Sequence, residues 1–548
     1  MKNRRIKIFD TTLRDGTQGE QISLSVEDKL RIAQKLDDIG IHYIEGGWPG
    51  SNPKDFLFFQ KVKQKQFKHA RIVAFGSTRR ADNTTEDDPN LQALLDVDTP
   101  VISLFGKSWL LHVRNALRIE PEENLRIIED SIRYLKSHGK EVVYDAEHYF
   151  DGYDGNPEYA LETLKIAERA GADVVVLCDT NGGTLPRDLA RIVRETKREV
   201  GVPLGIHTHN DSDLAVANSI IAVDEGCEHV QGTINGYGER CGNANLCSVI
   251  PNLQLKRGYR CIPEENLSSF CGLSHFVSEV ANVHHPYSLP FVGRSAFAHK
   301  GGIHVSAVMK DRRTYEHIRP EKVGNVRRVL VSDLSGRSNI FSKANELSID
   351  IEGHEDRVPE IVERLKMLES NGYQFEAAEG SFELLVKKVI GEWRDFFELE
   401  GFRVLVEKDE SGAPRSEASV RLQVNGITEH TASEGKGPVH ALDQALRKAL
   451  IKFFPEIERM HLSDYKVRDL NTKDGTSAKV RVLIESSTDK TKWSTVGVSE
   501  NILEASWQAL TDSFSYYLMK NHRKEREQSD SPLFKSWVNS PIFTSSQE

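Results

Sequence analysis

The chain has 548 residues, enough for more than one domain, and its 38% hydrophobic and 28% charged residues are typical of a soluble globular protein. A net charge of −10 argues against bulk nucleic-acid binding, and no apolar run approaches the ~18–20 residues that span a bilayer. The basic N-terminus lacks an apolar leader and the six cysteines form no Cys-x-x-Cys pair, so we expect a cytoplasmic protein without a nucleic-acid or membrane partner.

One pattern recurs from residue 5 to about residue 245: a short β-branched run ends in polar residues, and helical spacing follows. The predicted strands are Ile6–Phe9, His42–Glu45, Ile72–Phe75, Pro100–Phe105, Glu141–Tyr144, Asp173–Leu177, Val202–Ile206 and His229–Gly232. The helices predicted between them include Ser25–Ile39, Pro121–Ser137 and Pro157–Ala170. Eight such units in about 240 residues predict a closed (β/α)8 TIM barrel. A doubly wound sheet is the rival, but the first turn has no Gly-x-Gly-x-x-Gly.

The stretch His207-Thr208-His209-Asn210-Asp211 follows the seventh predicted strand. Residues two apart on a strand point to the same side, so His207 and His209 present their imidazoles together. If the barrel closes, Asp15 and Asn243 fall on neighbouring strands and complete a set of four oxygen and nitrogen ligands. Such a set suits Mg²⁺, Mn²⁺, Co²⁺ or Zn²⁺ without choosing among them. For the His-x-His alone, two structural histidines at a strand end are an equal alternative.

The composition changes after the barrel. Residues 286–345 are rich in Gly and His, and helices are predicted at Glu355–Leu368 and Phe375–Val389. Beyond residue 400 three strands and a helix are predicted twice: Phe402–Glu407, Ala418–Val424, Gly426–Thr431 and Val439–Phe453, then Lys466–Leu470, Ala478–Ser486, Lys492–Val498 and Ile502–Met519. We therefore expect a barrel at 1–285, helical linker subdomains at 286–398, a C-terminal α+β regulatory and dimerisation domain of duplicated βββα units at 399–523, and a flexible tail at 524–548.

Four motifs, FDTTLRDGTQ, HTHND, GTINGYGERCGN and FAHKGGIH, occur in an order and spacing that resemble the acetyl-CoA-condensing synthases of the 2-isopropylmalate, homocitrate and citramalate group. The resemblance covers nearly the whole chain. Within the group, the segment EGGWPGSNPKD most resembles the (R)-citramalate synthases. This resemblance implies a metal-dependent acyltransferase that condenses acetyl-CoA with pyruvate and hydrolyses the thioester, releasing (R)-citramalate and CoA. It also implies a place in isoleucine biosynthesis, feedback inhibition by that amino acid at the C-terminal domain, and a homodimer or higher homo-oligomer.

The resemblance also implies roles for individual residues. Its metal ligands are Asp15, His207, His209 and Asn243, and its other site residues are Arg14 for polarising the keto acid, Glu147 as an acid after strand 5, Thr180 as a substrate contact, and His304 with the nearby Tyr315 from the linker of a partner subunit. Many members have Asp two residues after this histidine, whereas this chain has Ser306. The identity of the catalytic base therefore stays open between His304 and Glu147.

Other functions remain open from the sequence. A 2-isopropylmalate synthase would take 2-oxoisovalerate, and the pocket volume that decides between the two keto acids is not readable from one sequence. A C–C lyase on the same barrel is disfavoured by the duplicated C-terminal module, since an end-product sensor suits a committed biosynthetic step. A non-catalytic amino-acid-binding regulator is disfavoured by the intact set of ligands. Arg79, Arg80, Lys107 and Arg240 are candidate contacts for the CoA phosphates, but a solvated charged surface explains the first three at least as well.

Overall fold

The computed structural model describes residues 3–408, 412, 414–470 and 478–529, with side chains as far as residue 522. The chain forms two compact units. The first contains residues up to 297 together with 316–327, and the second contains 298–315 and the residues from 328 onward. Two pieces of the predicted linker, 286–297 and 316–327, thus belong to the same compact unit as the barrel. Across the described ranges, every helix is too short or too polar to cross a lipid bilayer.

The first unit is built on a closed barrel of eight parallel strands that follow one another in chain order. The barrel closes through the pairing of the first and last strands, where Lys7 lies opposite His229 and Asp10 opposite Gly232. The strands are β1 Lys7–Asp10, β2 Tyr43–Gly47, β3 Arg71–Ser77, β4 Val101–Lys107, β5 Glu141–Glu147, β6 Val174–Asp179, β7 Leu204–Thr208 and β8 His229–Gly232. The predicted (β/α)8 barrel is confirmed, and the doubly wound sheet is excluded because an open sheet has no such closing pair.

Helices alternate with these strands around the barrel. They are α1 Val26–Ile39, α2 Pro53–Val62, α3 Pro89–Asp96, α4 Leu110–His112, α5 Pro121–Ser137, α6 Tyr149–Gly155, α7 Pro157–Ala170, α8 Pro186–Glu199, α9 Ala215–Asp224, α10 Leu246–Pro251 and α11 Phe270–Val280. The ends predicted for α1 are confirmed by its caps. The Ser25 side chain accepts a hydrogen bond from the backbone of Asp28, and Gly40 adopts a left-handed conformation with φ 92°.

The interior of the barrel holds side chains from alternate strand positions. A cluster of buried apolar residues fills it: Phe9, Tyr43, Val73, Val101, Val143, Val174, Val176 and Cys178. A histidine, His229, stands among them with its ring 5.2 Å from that of Phe9 and 5.6 Å from that of Tyr43. The barrel is therefore a packed core, and its open positions lie at the carboxyl ends of the strands.

The second unit begins with helical segments and a small parallel pair of strands, β9 Ala298–His299 and β10 Arg328–Val329. Its helices before residue 395 are α12 Gly302–Lys310, α13 Arg337–Glu346, α14 Val358–Ser370 and α15 Glu379–Ile390. The two predicted helices correspond to α14 and α15, each preceded by a short 3-10 turn. The buried faces of α13, α14 and α15 share one apolar core, to which Ile340, Ile361 and Phe382 contribute.

Two three-stranded antiparallel sheets, each followed by a helix, form the rest of the second unit. The first set is β11 Glu398–Lys408, β12 Pro414–Val424, β13 Ile427–Gly435 and α16 Pro438–Leu450, and the second is β14 His461–Asp469, β15 Val480–Ser487, β16 Lys492–Ser499 and α17 Ile502–Ser529. The duplicated βββα unit is confirmed. Helix α17 includes residues 524–529 of the predicted tail, whereas 530–548 lie outside the described residues.

Candidate active site

The turn after β1 places Arg14 and Asp15 at the carboxyl end of the barrel. The buried carboxylate of Asp10 fixes this turn, since it accepts hydrogen bonds from the backbone amide and the hydroxyl of Thr12, both at 2.9 Å. The amides of Arg14 and Gly16 then donate to the carbonyl of Thr11. A single 3-10 turn, Asp15–Gln18, follows. The local sequence therefore aims two neighbouring charged side chains at the barrel axis.

Strand β7 and the loop after β8 supply the nitrogen and amide groups. His207 lies in β7, and His209 follows it with its amide bonded to the carbonyl of Asp179 at 3.2 Å. Asn243 pairs with His209 through an isolated β-bridge, which brings the β8 loop over the end of β7. Gly238 permits this loop to close, since its φ is 157° and a Cβ there would lie 2.1 Å from the amide nitrogen of Asn243.

The predicted metal ligands converge at one place. The Nε2 atom of His207 lies 3.5 Å from Asp15 Oδ2 and 3.3 Å from His209 Nε2, and the His209–Asp15 separation is 3.9 Å. Among the described residues, Asp15, His207 and His209 are the one group of three or more metal-binding side chains, all buried. Asp15 Oδ1 and Asn243 Oδ1 are both buried, and neither atom has a hydrogen-bond partner among the residues that the structure describes. Unpartnered buried oxygens beside two imidazoles fit a divalent cation, because the ion would satisfy them.

The electrostatics keep the ligands in the protonation states that bind metals. Burial acts to raise the pKa of Asp15, but Arg14, the two imidazoles and the amide of Asn243 outweigh it and lower this pKa to about 2. Burial and the neighbouring His209 lower the pKa of His207 to about 3, and burial also lowers the pKa of His209. At neutral pH the site therefore presents one carboxylate and two neutral imidazoles.

A buried chain of hydrogen bonds orients His207. Its Nδ1 atom lies 2.9 Å from the side-chain oxygen of Gln231, whose amide nitrogen donates to Asp145 at 2.8 Å. Asp145 in turn accepts a hydrogen bond from Ser103 at 2.7 Å. Because the amide oxygen of Gln231 can only accept, the Nδ1 atom of His207 carries the proton and Nε2 presents its lone pair to the metal position.

Arg14 lies beside these ligands and is held by three contacts. Its Nε donates to Glu45 at 2.6 Å, its NH1 donates to Asp15 at 3.2 Å, and its guanidinium lies 3.8 Å above the ring of Phe75. Glu45 is fully buried, and burial raises its pKa to about 7 against the opposing charge of Arg14. These three contacts fix the guanidinium directly beside Asp15.

Glu147 and Thr180 lie at the carboxyl ends of the neighbouring strands β5 and β6, and β6 in turn pairs with β7. Glu147 ends β5, and its carboxylate forms an ion pair with Lys107 at the end of β4. Thr180 follows β6, and its hydroxyl accepts a hydrogen bond from the backbone amide of His148 at 2.9 Å. Arg240 donates to the Thr180 carbonyl at 2.7 Å and makes a two-point contact with Asp211. Both predicted site residues therefore face the same opening as the metal ligands.

These groups line a cavity of about 200 Å³ at the carboxyl end of the barrel. Nine of its lining residues have polar or charged side chains: Arg14, Asp15, Gln18, Asp145, Glu147, Thr180, His207, His209 and Glu239. One side is apolar and consists of Trp48, Phe75 and Phe105, which we call the aromatic wall. Trp48 meets the other two rings edge-on at 5.6 and 5.5 Å, and Phe75 stacks on Phe105 at 5.2 Å. The site can therefore hold a small charged molecule that carries a short apolar group.

The remaining predicted residues have different surroundings. His304 is exposed on α12 of the second unit, and its ring lies 4.2 Å from that of Tyr315 in the same unit. The guanidinium of Arg79 is paired with Glu123 and Asp130, which accounts for its charge without a phosphate. Arg240 and Lys107 are likewise engaged by carboxylates, as described above. In this structure all three cations have carboxylate partners, and their contact with CoA phosphates stays a prediction.

Sequence reasoning missed several residues of the site. Gln231, Asp145 and Glu45 stand inside or at the ends of predicted strands, and charged or amide side chains buried in a barrel strand are the signal that would have found them. The aromatic wall carried no comparable signal. Phe75 and Phe105 resemble ordinary strand residues, and only the closed barrel shows which of their faces meets the cavity.

Comparisons with known proteins agree with this architecture. The HMGL-like family profile matches residues 5–277, the homocitrate synthase post-HMGL domain-like profile 291–372, and the LeuA allosteric (dimerisation) domain profile 376–518. Among curated proteins, the (R)-citramalate synthase of Aquifex aeolicus is 56% identical over 522 residues, covering 95% of this chain and 99% of that protein.

Two further relatives bracket the similarity. The (R)-citramalate synthase of Geobacter sulfurreducens is 57% identical over 521 residues, again covering 95% of this chain and 99% of that protein. The 2-isopropylmalate synthase of Methanocaldococcus jannaschii is 33% identical over 525 residues, covering 95% of this chain and 96% of that protein. The similarity extends over barrel, linker and C-terminal sheets alike, and it is much stronger to the first group. The chain belongs to the family of the (R)-citramalate synthases.

Proposed function

We propose that the protein condenses acetyl-CoA with pyruvate and hydrolyses the resulting thioester, releasing (R)-citramalate and CoA. The observation that carries this proposal is the buried convergence of Asp15, His207 and His209 beside Arg14, in a cavity that has one apolar side. The hydrolysis consumes one water molecule, and the cleavage of the thioester makes the condensation irreversible in practice. Full-length similarity to curated (R)-citramalate synthases supports the same reaction.

The proposed metal site consists of Asp15, His207, His209 and Asn243. Its carboxylate, amide and imidazole donors suit Mg²⁺, Mn²⁺, Co²⁺ or Zn²⁺ and offer no thiolate to a softer ion. A bound divalent ion would supply Lewis-acid polarisation of the keto acid and fix its orientation. The two imidazoles are held neutral by burial and His207 is held by Gln231, so the protein presents these donors already in place.

We assign Arg14 to the stabilisation of the negative charge that develops on the carbonyl oxygen of the keto acid. Its charge does not titrate, and its contacts with Glu45, Asp15 and Phe75 fix the guanidinium before substrate arrives. A donor that needs no reorganisation during the reaction contributes most to such stabilisation. Thr180, whose hydroxyl already accepts from His148, can donate its hydroxyl proton to a substrate oxygen.

A base must remove a proton from the methyl group of acetyl-CoA, and Glu147 and His304 are the two candidates. Glu147 lines the cavity and is paired with Lys107, whereas His304 lies on an exposed helix together with Tyr315. We propose that His304 and Tyr315 act from a partner subunit, which requires a homodimer or larger assembly. Glu147→Gln and His304→Ala separate these roles, because loss of a base lowers kcat by about 10²–10⁴-fold.

The identity of 56–57% to two curated (R)-citramalate synthases, against 33% to a 2-isopropylmalate synthase, favours pyruvate over 2-oxoisovalerate. The aromatic wall lines this cavity of about 200 Å³ together with the polar groups, and Phe75 lies directly against the guanidinium of Arg14. The methyl group of pyruvate is the smallest alkyl substituent a 2-keto acid of this kind can carry, whereas 2-oxoisovalerate carries a branched isopropyl group. We therefore place 2-isopropylmalate synthesis second. A C–C lyase does not account for the paired βββα units.

The paired βββα units are proposed to bind an amino-acid effector, isoleucine, and to join two chains. The LeuA allosteric (dimerisation) domain profile covers this region and includes α15, which packs on α17: Ser381 donates to Asp512 at 2.7 Å. We propose a cytoplasmic enzyme with the barrel at 1–285, the linker at 286–398 and the regulatory domain at 399–523.

One assay tests the proposed reaction. Thiol release from acetyl-CoA is measured with pyruvate, 2-oxobutyrate and 2-oxoisovalerate, each with and without EDTA, and the acid product is analysed on a chiral column. We expect metal-dependent thiol release with pyruvate and an R product. An absence of thiol with all three keto acids contradicts a condensing enzyme, and a preference for 2-oxoisovalerate replaces citramalate with 2-isopropylmalate.

A further inference from the structure

Trp48 is the part of the aromatic wall that no strand backbone holds in place. Phe75 lies within β3 and Phe105 within β4, so the barrel itself fixes both rings. Trp48 instead follows β2 on the loop that leads to α2. A tryptophan on a loop would ordinarily sample several rotamers, and a fixed position requires dedicated contacts.

A buried ion pair anchors the backbone of this loop. Lys29 on α1 is only 1% exposed, and its ammonium group donates to the carbonyl of Gly46 at 3.0 Å and to Asp55 on α2 at 2.5 Å. The other oxygen of Asp55 accepts a hydrogen bond from the backbone amide of Trp48 at 3.0 Å. A buried ion pair stabilises a fold less than apolar packing does, but it fixes geometry. Here the ion pair fixes the backbone of the loop between β2 and α2.

The approach of Asp55 to the loop depends on Gly47. Its φ is 145°, and a Cβ at this position would lie 2.4 Å from the carboxyl carbon of Asp55. A side chain here would therefore push the carboxylate away from the Trp48 amide. In the sequence Gly46-Gly47-Trp48, the second glycine thus leaves the room that the ion pair needs.

A second anchor holds the indole ring. Its N–H donates to the side-chain oxygen of Asn90 at 2.7 Å, and the amide of Asn90 donates to the carbonyl of Ser77 at 2.5 Å. Asn90 belongs to α3, which is capped by Asp88. The backbone of Trp48 is therefore fixed by α1 and α2 and its ring by α3. The plane of the indole lies nearly perpendicular to the rings of Phe75 and Phe105.

We propose that Trp48 limits the size of the 2-keto acid substituent, and that Lys29 and Asp55 are positioning residues that hold the indole in the cavity. This inference rests on the proposed function. A keto acid whose carbonyl oxygen is directed to Arg14 still has an alkyl group to place, and the aromatic wall is the apolar side of the cavity. Phe75 is already covered by the guanidinium of Arg14, so Trp48 and Phe105 are left to meet that group.

The first experiment compares kcat/KM for pyruvate with kcat/KM for 2-oxobutyrate in the wild type and in Trp48→Leu. A hydrophobic pocket discriminates one methylene by about 10–200-fold, so we expect the ratio to fall at least about tenfold in the variant. Trp109→Phe is the matched control, because Trp109 packs against His112 and His148 and does not line the cavity. Its ratio should remain that of the wild type.

The second experiment tests the positioning residues with the double variant Lys29→Met, Asp55→Leu, which removes the ion pair without leaving a lone buried charge. We expect the pyruvate to 2-oxobutyrate ratio to fall by about threefold or more, with KM for pyruvate rising more than kcat falls, since Arg14 and Asp15 are untouched. Lys61→Met is the control. It removes the exposed Lys61–Glu27 ion pair between the same two helices and should change neither value.

The outcomes separate this inference from the proposed function. If the wild type releases thiol with pyruvate but Trp48→Leu keeps the wild-type ratio of kcat/KM for pyruvate to kcat/KM for 2-oxobutyrate, the size limit alone is overturned. A rise in KM for acetyl-CoA without a change in the ratio assigns Trp48 to the other substrate and overturns it as well. A double variant that is less stable but keeps the wild-type ratio overturns the positioning role. A wild type that releases no thiol overturns both proposals.

Discussion

Replacing His229 with phenylalanine should stabilise the barrel and remove part of its acid sensitivity. The ring is 1% exposed between Phe9 and Tyr43, and both of its nitrogens lack a hydrogen-bond partner within the described residues. A buried polar group left unpaired costs about 1–3 kcal/mol, and a phenyl ring has nearly the same shape. We therefore expect His229→Phe to raise the free energy of unfolding at pH 8 by about 1–3 kcal/mol.

The pH dependence of this difference follows from the protonation of His229. Burial, with small contributions from His42 and Lys7, lowers its pKa from 6.5 to about 3 in the folded state. Between those values the unfolded chain binds the proton and the folded chain does not, so stability present above pH 6.5 is lost as the pH falls. At pH 5 the wild type has lost about 2 kcal/mol of stability through this protonation, whereas the phenylalanine variant has no such loss.

The assay is urea unfolding followed by tryptophan fluorescence at pH 8 and pH 5, with EDTA present throughout so that metal loss does not contribute. His42→Phe is the matched control, since His42 is also buried but its Nδ1 accepts a hydrogen bond from the amide of Ile8 at 3.1 Å. That variant should be less stable than the wild type at pH 8. An equal or lower stability of His229→Phe at pH 8, or a stability difference from wild type that does not widen at pH 5, would refute the reasoning.

Three further predictions concern the site and its regulation. Gln231→Leu removes the group that orients His207 and should weaken metal binding by about 10–100-fold in a competitive chelator titration, whereas His207→Ala should abolish binding with the fold retained in circular dichroism. Lys107→Met frees the Glu147 carboxylate and should lower kcat more than it raises KM, and a change in KM alone would contradict a role for that carboxylate in chemistry. Isoleucine should lower thiol release by the full-length enzyme and slow amide hydrogen exchange in the paired βββα units, and protection confined to the barrel would remove the effector site from those units.

The barrel and the convergence of the proposed metal ligands were predictable because both depend on repeating rules. Eight β/α units of the right length leave few alternatives to closure, and closure makes the first and last strands neighbours. Asp15, His207 and His209 then follow from strand periodicity and adjacency alone. The strand ends were less predictable: β5 continues to Glu147 and β7 to Thr208, because polar residues at the rim remain in the ladder even though they interrupt the apolar run.

The surroundings of these ligands were not predictable for a different physical reason. Gln231 orients His207 through a contact across 24 residues, and Asp145 reaches Gln231 across 86. Such pairings depend on rotamers and on the radius of the closed barrel, neither of which leaves a pattern in the sequence. The aromatic wall is similar, since Trp48 depends on Lys29 and Asp55 from two separate helices.

The groups assigned to chemistry and the group assigned to substrate size are held by different parts of the fold. His207 belongs to a strand and Asp15 to a turn fixed by the buried Asp10, so the barrel backbone itself holds these groups assigned to chemistry. Trp48 belongs to a loop whose position depends on one ion pair and one hydrogen bond. Substitutions on α1, α2 or the β2 loop can therefore enlarge or narrow the apolar side of the cavity while the metal ligands keep their geometry. A change of keto acid then requires no change in the residues that activate it.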